Sequence, residues 1–271
     1  MKAPAFDYVR PASLDEALTL CAQGGDDAKF LAGGQSLGPL LNLRLARPAL
    51  LIDVRRLPEL AGWRDEGDTL CIGAGLTHAA IEDGALPGAV GRFLAAVAHG
   101  IAYRAVRNRG TVGGSLAHAD PAADWVSTFA LLDAQLEVRS ARGVRIVAAD
   151  ALVEGPLSTA LRADELITAI RVAKGSSDAR RSYRKFNRKP GEFAEAIGGF
   201  CADPASGVCR AVIGATGGPP VVITDANALL DSDDACVAAV DAAGFEPGSF
   251  EQQVHAVMLR RAAHALRESV A

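Results

Sequence analysis

The chain has no run of about 18 apolar residues, the length a membrane-spanning helix needs. Its opening stretch, MKAPAFDYVRPAS, lacks the apolar core of a secretory leader. These two absences predict a cytoplasmic protein with no membrane span. Five cysteines stand at 21, 71, 201, 209 and 236, and no two form a C-x-x-C pair. Zinc and iron–sulfur sites want closely spaced thiolates, so neither is expected in this chain. The cysteines read instead as buried or free thiols. No G-x-S-x-G, H-E-x-x-H or EF-hand pattern occurs. There is also no G-x-G-x-x-G and no Walker A loop. No strand–glycine loop–helix unit is followed at the right distance by a ribose-binding acid, so a Rossmann site fits poorly. The net charge of −4 offers no basic excess for nucleic acid.

What is present is ordinary in bulk. The 271 residues, 49% apolar and 22% charged, suffice for about two domains with their own cores. Twenty-eight glycines must serve turns or places where backbone approaches something closely. Ser13 and Glu16 form a capping box for a helix over 13–22, with Leu14, Ala17, Leu18 and Cys21 on one face. KFLAGGQS reads as an apolar strand running into a Gly-Gly turn, and LLIDV and TLCIGAGL as further strands. Residues 77–83 and 88–98 read as helices. Asp120-Pro121 is a helix-start signal, with Trp125, Phe129 and Leu132 lining one face beyond it. AQLEVRS and GVRIVAA alternate around Ala141-Arg142-Gly143 as a hairpin, and ELITAIRV follows as a strand. KGSSD at 174–178 reads as a linker. Beyond it RRSYRKFNR, EAIGGFCAD and VCRAVIGATG predict three strands, and 232–243 and 249–268 predict two helices. That change of pattern marks a separate α+β layer.

Two stretches carry the chemistry: AGGQS at 32–36 and RNRGTVGGSLAHADPAAD at 107–124. Gly33 and Gly34 have no Cβ and adopt positive φ freely, so their N–H groups can converge on oxygen atoms, with the Ser36 hydroxyl beside them. GTVGGS repeats the design, with backbone donors from Gly113 and Gly114 and hydroxyls from Thr111 and Ser115. One cradle suits a phosphate and two suit a diphosphate. Spacing alone equally allows two tight turns in a glycine-rich chain. Asp124 follows Asp120 by one helical turn and lies near the second cradle, where it reads as a hydroxyl acceptor or as a first-turn acid. His118 has no third ligand to make a metal site. RRSYRKFNRK, with six basic residues between 180 and 189, reads as a protected strand edge or as a positive wall beside an anionic cofactor.

With these motifs in hand, the chain resembles the FAD-binding medium subunits of the molybdenum hydroxylases, the xanthine dehydrogenase and aerobic carbon monoxide dehydrogenase family. FLAGGQSLGPLLNLRLARPALLIDV is similar to the family's first FAD signature and RNRGTVGGSLAHADPAAD to its second. DELITAIRV and YRKFNRKPGEFA are similar to its later contacts. The resemblance implies an α+β fold: an FAD-binding domain of the vanillyl-alcohol-oxidase type over 1–175, with α/β subdomains of about 1–57 and 58–175. A C-terminal domain over 178–271 would follow, with a three-stranded antiparallel sheet and helices. It implies that Ala32, Gly33, Gly34, Gln35 and Ser36, with Thr111, Val112, Gly113, Gly114 and Ser115, wrap the FAD diphosphate. Asp124 would bind through hydroxyls, Ile101 and Ile167 would pack near the cofactor, and Lys185 would approach it from the C-terminal domain. The family often has Gly-Asp-Tyr where this chain has Gly191-Glu192-Phe193, so Phe193 would offer the flavin a ring face without a hydroxyl. Gln35 stands where some relatives have histidine. Neither offers a covalent attachment, so the FAD is expected to be noncovalent.

The resemblance further implies no catalytic side chain facing the organic substrate. Electrons would come from [2Fe–2S] clusters in a small subunit, fed by a large molybdopterin subunit, in a dimer of heterotrimers. Two other readings stay open: a stand-alone FAD-dependent NAD(P)H oxidoreductase, for which no nicotinamide fingerprint is visible, and a non-catalytic nucleotide-binding or assembly protein using the same cradle.

Overall fold

A computed structural model describes residues 2–268. The chain begins with a parallel sheet of three short strands, β1 (Asp7–Val9), β2 (Ala28–Leu31) and β3 (Leu50–Asp53), in the order β1-β3-β2. Helix α1 (Leu14–Gly24) connects the first two and α2 (Leu37–Asn42) the last two. The Ser13 half of the capping signal works as read, Ser13 Oγ accepting from Glu16 N at 3.2 Å, while the Glu16 carboxylate accepts from Ala12 N, one residue before the cap, at 2.6 Å. Leu14, Ala17, Leu18 and Cys21 are buried against Ile52 and Val54.

The middle of the chain forms a five-stranded antiparallel sheet from β4 (Trp63–Glu66), β5 (Thr69–Gly73), β6 (Gln135–Ser140), β7 (Gly143–Ala148) and, after a small β8–β9 hairpin (Val153–Gly155, Ser158–Thr159), β10 (Leu166–Ala173). The order is β4-β5-β10-β6-β7. Five helices interrupt it: α3 (His78–Glu82), α4 (Gly88–His99), α5 (Arg104–Arg107), α6 (Val112–His118) and α7 (Asp124–Leu131). Every residue of α7 is buried, Trp125 and Phe129 fully. The helix is buried on every side although it carries Asp124, Ser127 and Thr128, and it is the post around which the other layers pack.

The last part is a second antiparallel sheet, β11 (Arg180–Phe186), β12 (Ala196–Asp203), β13 (Val208–Gly214) and β14 (Val221–Ile223), in that spatial order. Three helices close the chain: α8 (Asn227–Asp231), α9 (Asp233–Ala242) and α10 (Phe250–Glu268). The three expected strands are present, and β14 extends the sheet to four. It is three residues long and follows a Gly-Gly-Pro-Pro turn, too short to show alternation. Strand β12 is buried throughout because it is covered on both faces, by α10 and by α7. Its Gly198 faces the α10 backbone so closely that a Cβ would meet Leu259 N at 2.6 Å.

One helix start differs from expectation. Asp120 caps a turn, accepting from Ala122 N at 2.9 Å, and α7 begins at Asp124. The local Asp-Pro signal is met by the turn that follows α6, whose C-cap Ala119 has left-handed backbone (φ 51°). All five cysteines are free and buried. No helix among the described residues is long and apolar enough to cross a membrane.

Candidate cofactor site

The AGGQS loop leaves the C-terminal end of β2, the edge of a parallel sheet where ligands characteristically bind. Gly33 is buried, and its missing side chain is required: a Cβ would stand 2.0 Å from the Arg109 carbonyl oxygen and 2.8 Å from Gly110 Cα. Gly34 has φ 74°. Among the described residues, the N–H groups of Gly33, Gly34, Gln35 and Ser36 donate to no acceptor, and the Ser36 hydroxyl has no partner. Gln35 turns its amide back onto the Gly33 carbonyl at 3.2 Å. Four consecutive open donors on a half-buried loop are suited to an oxygen anion.

The second stretch is built differently from its expected design. Thr111 to Ser115 form the start of α6, where a cradling turn was expected, and Gly113 and Gly114 are helical. Their N–H groups are already used. Val112 donates to Leu76 O at 3.0 Å, Gly113 to Ala74 O at 2.9 Å, Gly114 to the Thr111 hydroxyl at 3.1 Å and Ser115 to Thr111 O at 3.0 Å. Gly113 and Gly114 therefore act by smallness. A Cβ on Gly113 would lie 2.6 Å from Ala74 Cβ, and one on Gly114 would touch Ala32 Cβ at 3.7 Å. So the two signatures do meet, Gly33 on the Arg109–Gly110 backbone and Ala32 on Gly114. What the second offers outward is the partly exposed Gly114 face and the Ser115 hydroxyl.

His78, and Trp125, which was read only as part of an apolar helix face, hold this junction. His78 N donates to Gly110 O at 2.9 Å, and the His78 ring lies where a Gly110 side chain would be. Trp125 Nε1 donates to His78 Nδ1 at 2.9 Å, so the His78 proton sits on Nε2. Burial first, and then the nearby Arg107 charge, lowers the His78 pKa from 6.5 to about 4. An unfolded imidazole takes up its proton near pH 6.5, while the folded one resists until about pH 4. This stabilisation is therefore complete above pH 6.5 and is lost as pH falls toward 4, by about 3 kcal/mol in all. We expect denaturant unfolding of the native chain to weaken over that window, and His78→Gln to flatten the slope. An unchanged slope in the variant would refute the assignment.

Asp124, the first residue of α7, joins the last sheet to the middle of the molecule. Its Oδ1 accepts from the Tyr183 hydroxyl at 2.8 Å and its Oδ2 from Lys185 Nζ at 2.9 Å. Lys185 also donates to Gly100 O at 2.7 Å. The Lys185 and Asp124 side chains are 13% and 6% exposed, so this ion pair is poorly screened. Tyr183, two residues from Lys185 on β11, shares its face of the strand. Burial and the adjacent Asp124 carboxylate push its phenol well above the usual range. The 100–103 bend that presents the Gly100 carbonyl is pinned by Arg107. Its guanidinium donates to Ile101 O and Ala102 O, both at 2.8 Å, and holds the Glu82 carboxylate through two nitrogens at 2.7 and 3.0 Å. Arg107 is the leading reason that the Glu82 pKa falls to about 2.

The remaining expected residues lie around this bend, with one exception. Ile101 is half-buried within it. Phe193 is 60% exposed on the loop after β11, and that loop rests on Tyr103: a Cβ on Gly191 (φ 88°) would meet the Tyr103 ring at 2.9 Å. Ile167 is the exception. Its side chain lies in the core of the middle sheet, next to a bulge between Ile167 and Ala169.

A family model, the FAD binding domain in molybdopterin dehydrogenase, matches residues 4–174. The chain belongs to this family. It is 39% identical over 239 residues to the 6-hydroxypseudooxynicotine dehydrogenase complex subunit alpha of Paenarthrobacter nicotinovorans, covering 86% of this chain and 80% of that one. It is 40% identical over 201 residues to the carbon monoxide dehydrogenase medium chain of Hydrogenophaga pseudoflava, covering 72% and 68%. A solved structure of carbon monoxide dehydrogenase from Hydrogenophaga pseudoflava, lacking the Mo-pyranopterin moiety, has a chain that matches at a TM-score of 0.89. The identity is 32% and coverage is 100% of both chains.

This medium subunit thus has the fold of its family and is part of an oxidoreductase. Its residues fit FAD. The four open N–H groups of the first loop suit the diphosphate, the only multiply anionic part of that cofactor. The glycine-lined seam admits close approach of backbone to ligand.

Proposed function

We propose that this chain is the electron-transferring FAD subunit of a heteromeric molybdenum hydroxylase, with 1–175 as its cofactor-binding unit and 178–271 as a second unit. Bound FAD supplies a centre that takes electrons singly from the [2Fe–2S] clusters of a small subunit and passes pairs to an external acceptor. A large molybdopterin subunit carries out the substrate chemistry, the assembly is a dimer of heterotrimers, and it works in the cytoplasm.

The chain's own residues bind and orient. Gly33 to Ser36 donate to the diphosphate, with Ala32, Thr111, Val112, Gly113, Gly114 and Ser115 shaping the seam beside it. Lys185 would approach the cofactor from β11, Asp124 would accept from its hydroxyls, Ile101 would pack near it, Ile167 would act only through the core behind the site, and Phe193 would offer the flavin a ring face. The observation that carries this reading is the row of open N–H groups on 33–36, abutting the second signature in a chain of this family.

The test is direct. The purified chain is expected to be yellow, to hold about one FAD per chain, and to release it on acid denaturation. Ser36→Ala is expected to weaken FAD binding by about tenfold, the loss of one hydrogen bond to a charged group. A colourless chain that takes up no FAD would overturn the reading.

A further inference from the structure

Tyr103 is 62% exposed, the most exposed of the Phe, Tyr and Trp side chains among the described residues. Its backbone is nonetheless firmly fixed. The Tyr103 carbonyl opens α5 by accepting from Val106 N at 2.9 Å and Arg107 N at 3.0 Å. Ala102, just before it, is left-handed (φ 42°), a conformation an alanine adopts only under strain. Arg107 holds the Ile101 and Ala102 carbonyls on one side, and Arg104 is tied to Glu82 and Asp83 on the other. A strained and heavily pinned bend thus delivers a phenol to the surface. That phenol does nothing for the helix it opens. It makes no cap bond, and among the described residues its hydroxyl has no partner.

One edge of the ring is in use. A Cβ on Gly191 would lie 2.9 Å from both Cε1 and Cζ of Tyr103 and 3.1 Å from its Cδ1. The loop between β11 and β12 therefore rests on that edge with room only for glycine. The loop is pinned in turn: Asn187 Nδ2 donates to Lys189 O at 2.7 Å, and Arg188 pairs with Glu195 at 2.6 Å. Two residues beyond Gly191 is Phe193, itself 60% exposed. Three residues before Tyr103 is Gly100, whose carbonyl accepts from Lys185. Tyr103 thus stands where the bend carrying Ile101 meets the loop carrying Phe193. Residues held in sparsely populated backbone regions persist where function over-determines them.

We infer that Tyr103 belongs to the flavin site, its ring seating the Phe193 loop and its free hydroxyl donating to an acceptor of the bound isoalloxazine. The inference rests on the reading of the chain as an FAD subunit. Phe193 has no hydroxyl with which to make that bond, and Tyr103 has one to spare. The partnerless phenol, the strained alanine behind it and the obligatory glycine facing it then share one cause.

The experiment uses the purified full chain, following its FAD dissociation constant, its flavin emission and its melting midpoint. Tyr103→Phe keeps the ring and so the seat of the loop. It is expected to melt within about 2 °C of the native chain. It is expected to bind FAD about fivefold more weakly, the loss of one hydrogen bond. Its flavin should also emit more strongly, because a phenol in contact quenches flavin emission and a phenyl ring does not. Tyr103→Ala unseats the loop as well, and should bind FAD about fiftyfold more weakly than the native chain.

A Tyr103→Phe chain with native affinity and native emission overturns the inference, since the ring would then serve the loop alone. A Tyr103→Ala chain that binds FAD as well as the Phe variant overturns it too. Should Tyr103→Ala fail to fold, the Phe variant decides, because it keeps every ring contact. An unsubstituted chain that takes up no FAD defeats the parent reading, and this inference with it.

Discussion

Gly33→Ala is expected to yield a chain that retains no FAD and melts well below the native one. The added methyl would stand 2.0 Å from the Arg109 carbonyl oxygen and 2.7 Å from its carbon. Both atoms are backbone, so no side-chain rotation relieves the clash and the two signatures must separate. Overpacking of this kind costs about 3 kcal/mol, which lowers the melting midpoint of a chain this size by about 6–12 °C. Gly34→Ala is the informative comparison. Its Cβ would lie 3.3 Å from a Leu31 methyl, a contact that can yield, so the penalty is mainly that of φ 74°, about 1 kcal/mol. Flavin content and thermal midpoint should therefore rank native, Gly34→Ala, Gly33→Ala. A Gly33→Ala protein that is yellow and melts like the native chain would show that the seam is not closed as described.

Asp124→Leu is expected to be at least as damaging by a different route. It removes the carboxylate shared by Lys185 and Tyr183 and leaves a largely buried ammonium and phenol with only the Gly100 carbonyl between them. Breaking a buried ion pair on one side costs about 3–5 kcal/mol, because the stranded charge is worse than no charge. Adding Lys185→Met to Asp124→Leu should then restore much of the stability, while flavin binding stays impaired. Tyr183→Phe removes one hydrogen bond and should cost only about 1–2 kcal/mol. Urea unfolding of the two single variants and the double variant closes a cycle for positions 124 and 185. Additive effects would mean that the two side chains act independently, contrary to the contact between them.

How much of this was legible in the sequence depended on whether a signal was local. The apolar runs ending in Leu31, Asp53 and Gly73 announced their strands, and Ser13 announced α1, because those elements satisfy themselves within a few residues. The Gly33–Gly34 loop was legible for the same reason. The second signature was misread because Gly113 and Gly114 are poor helix formers. Tertiary bonds from Ala74 and Leu76, together with the Thr111 cap, impose the helix on them. Strand β4, with the sequence WRDE and all four residues exposed, has no apolar alternation to read. The roles of Tyr183, His78 and Trp125 were invisible because each comes from a partner 47 or more positions away. The one available clue to Tyr183 was its placement two residues before Lys185.

The single carboxylate at position 124 answers to two donors at 183 and 185, on the far side of the KGSSD connection. That connection is where a protein engineer would first think to splice two relatives together. A crossover there inherits the acid from one parent and its phenol and ammonium from the other. Parents differing at position 124 or 185 would give hybrids with an unmatched charge at the joint, and parents differing at 183 hybrids with a missing hydrogen bond. The safer splice points lie upstream of Asp124 or downstream of Lys185, where the trio travels as one heritable block.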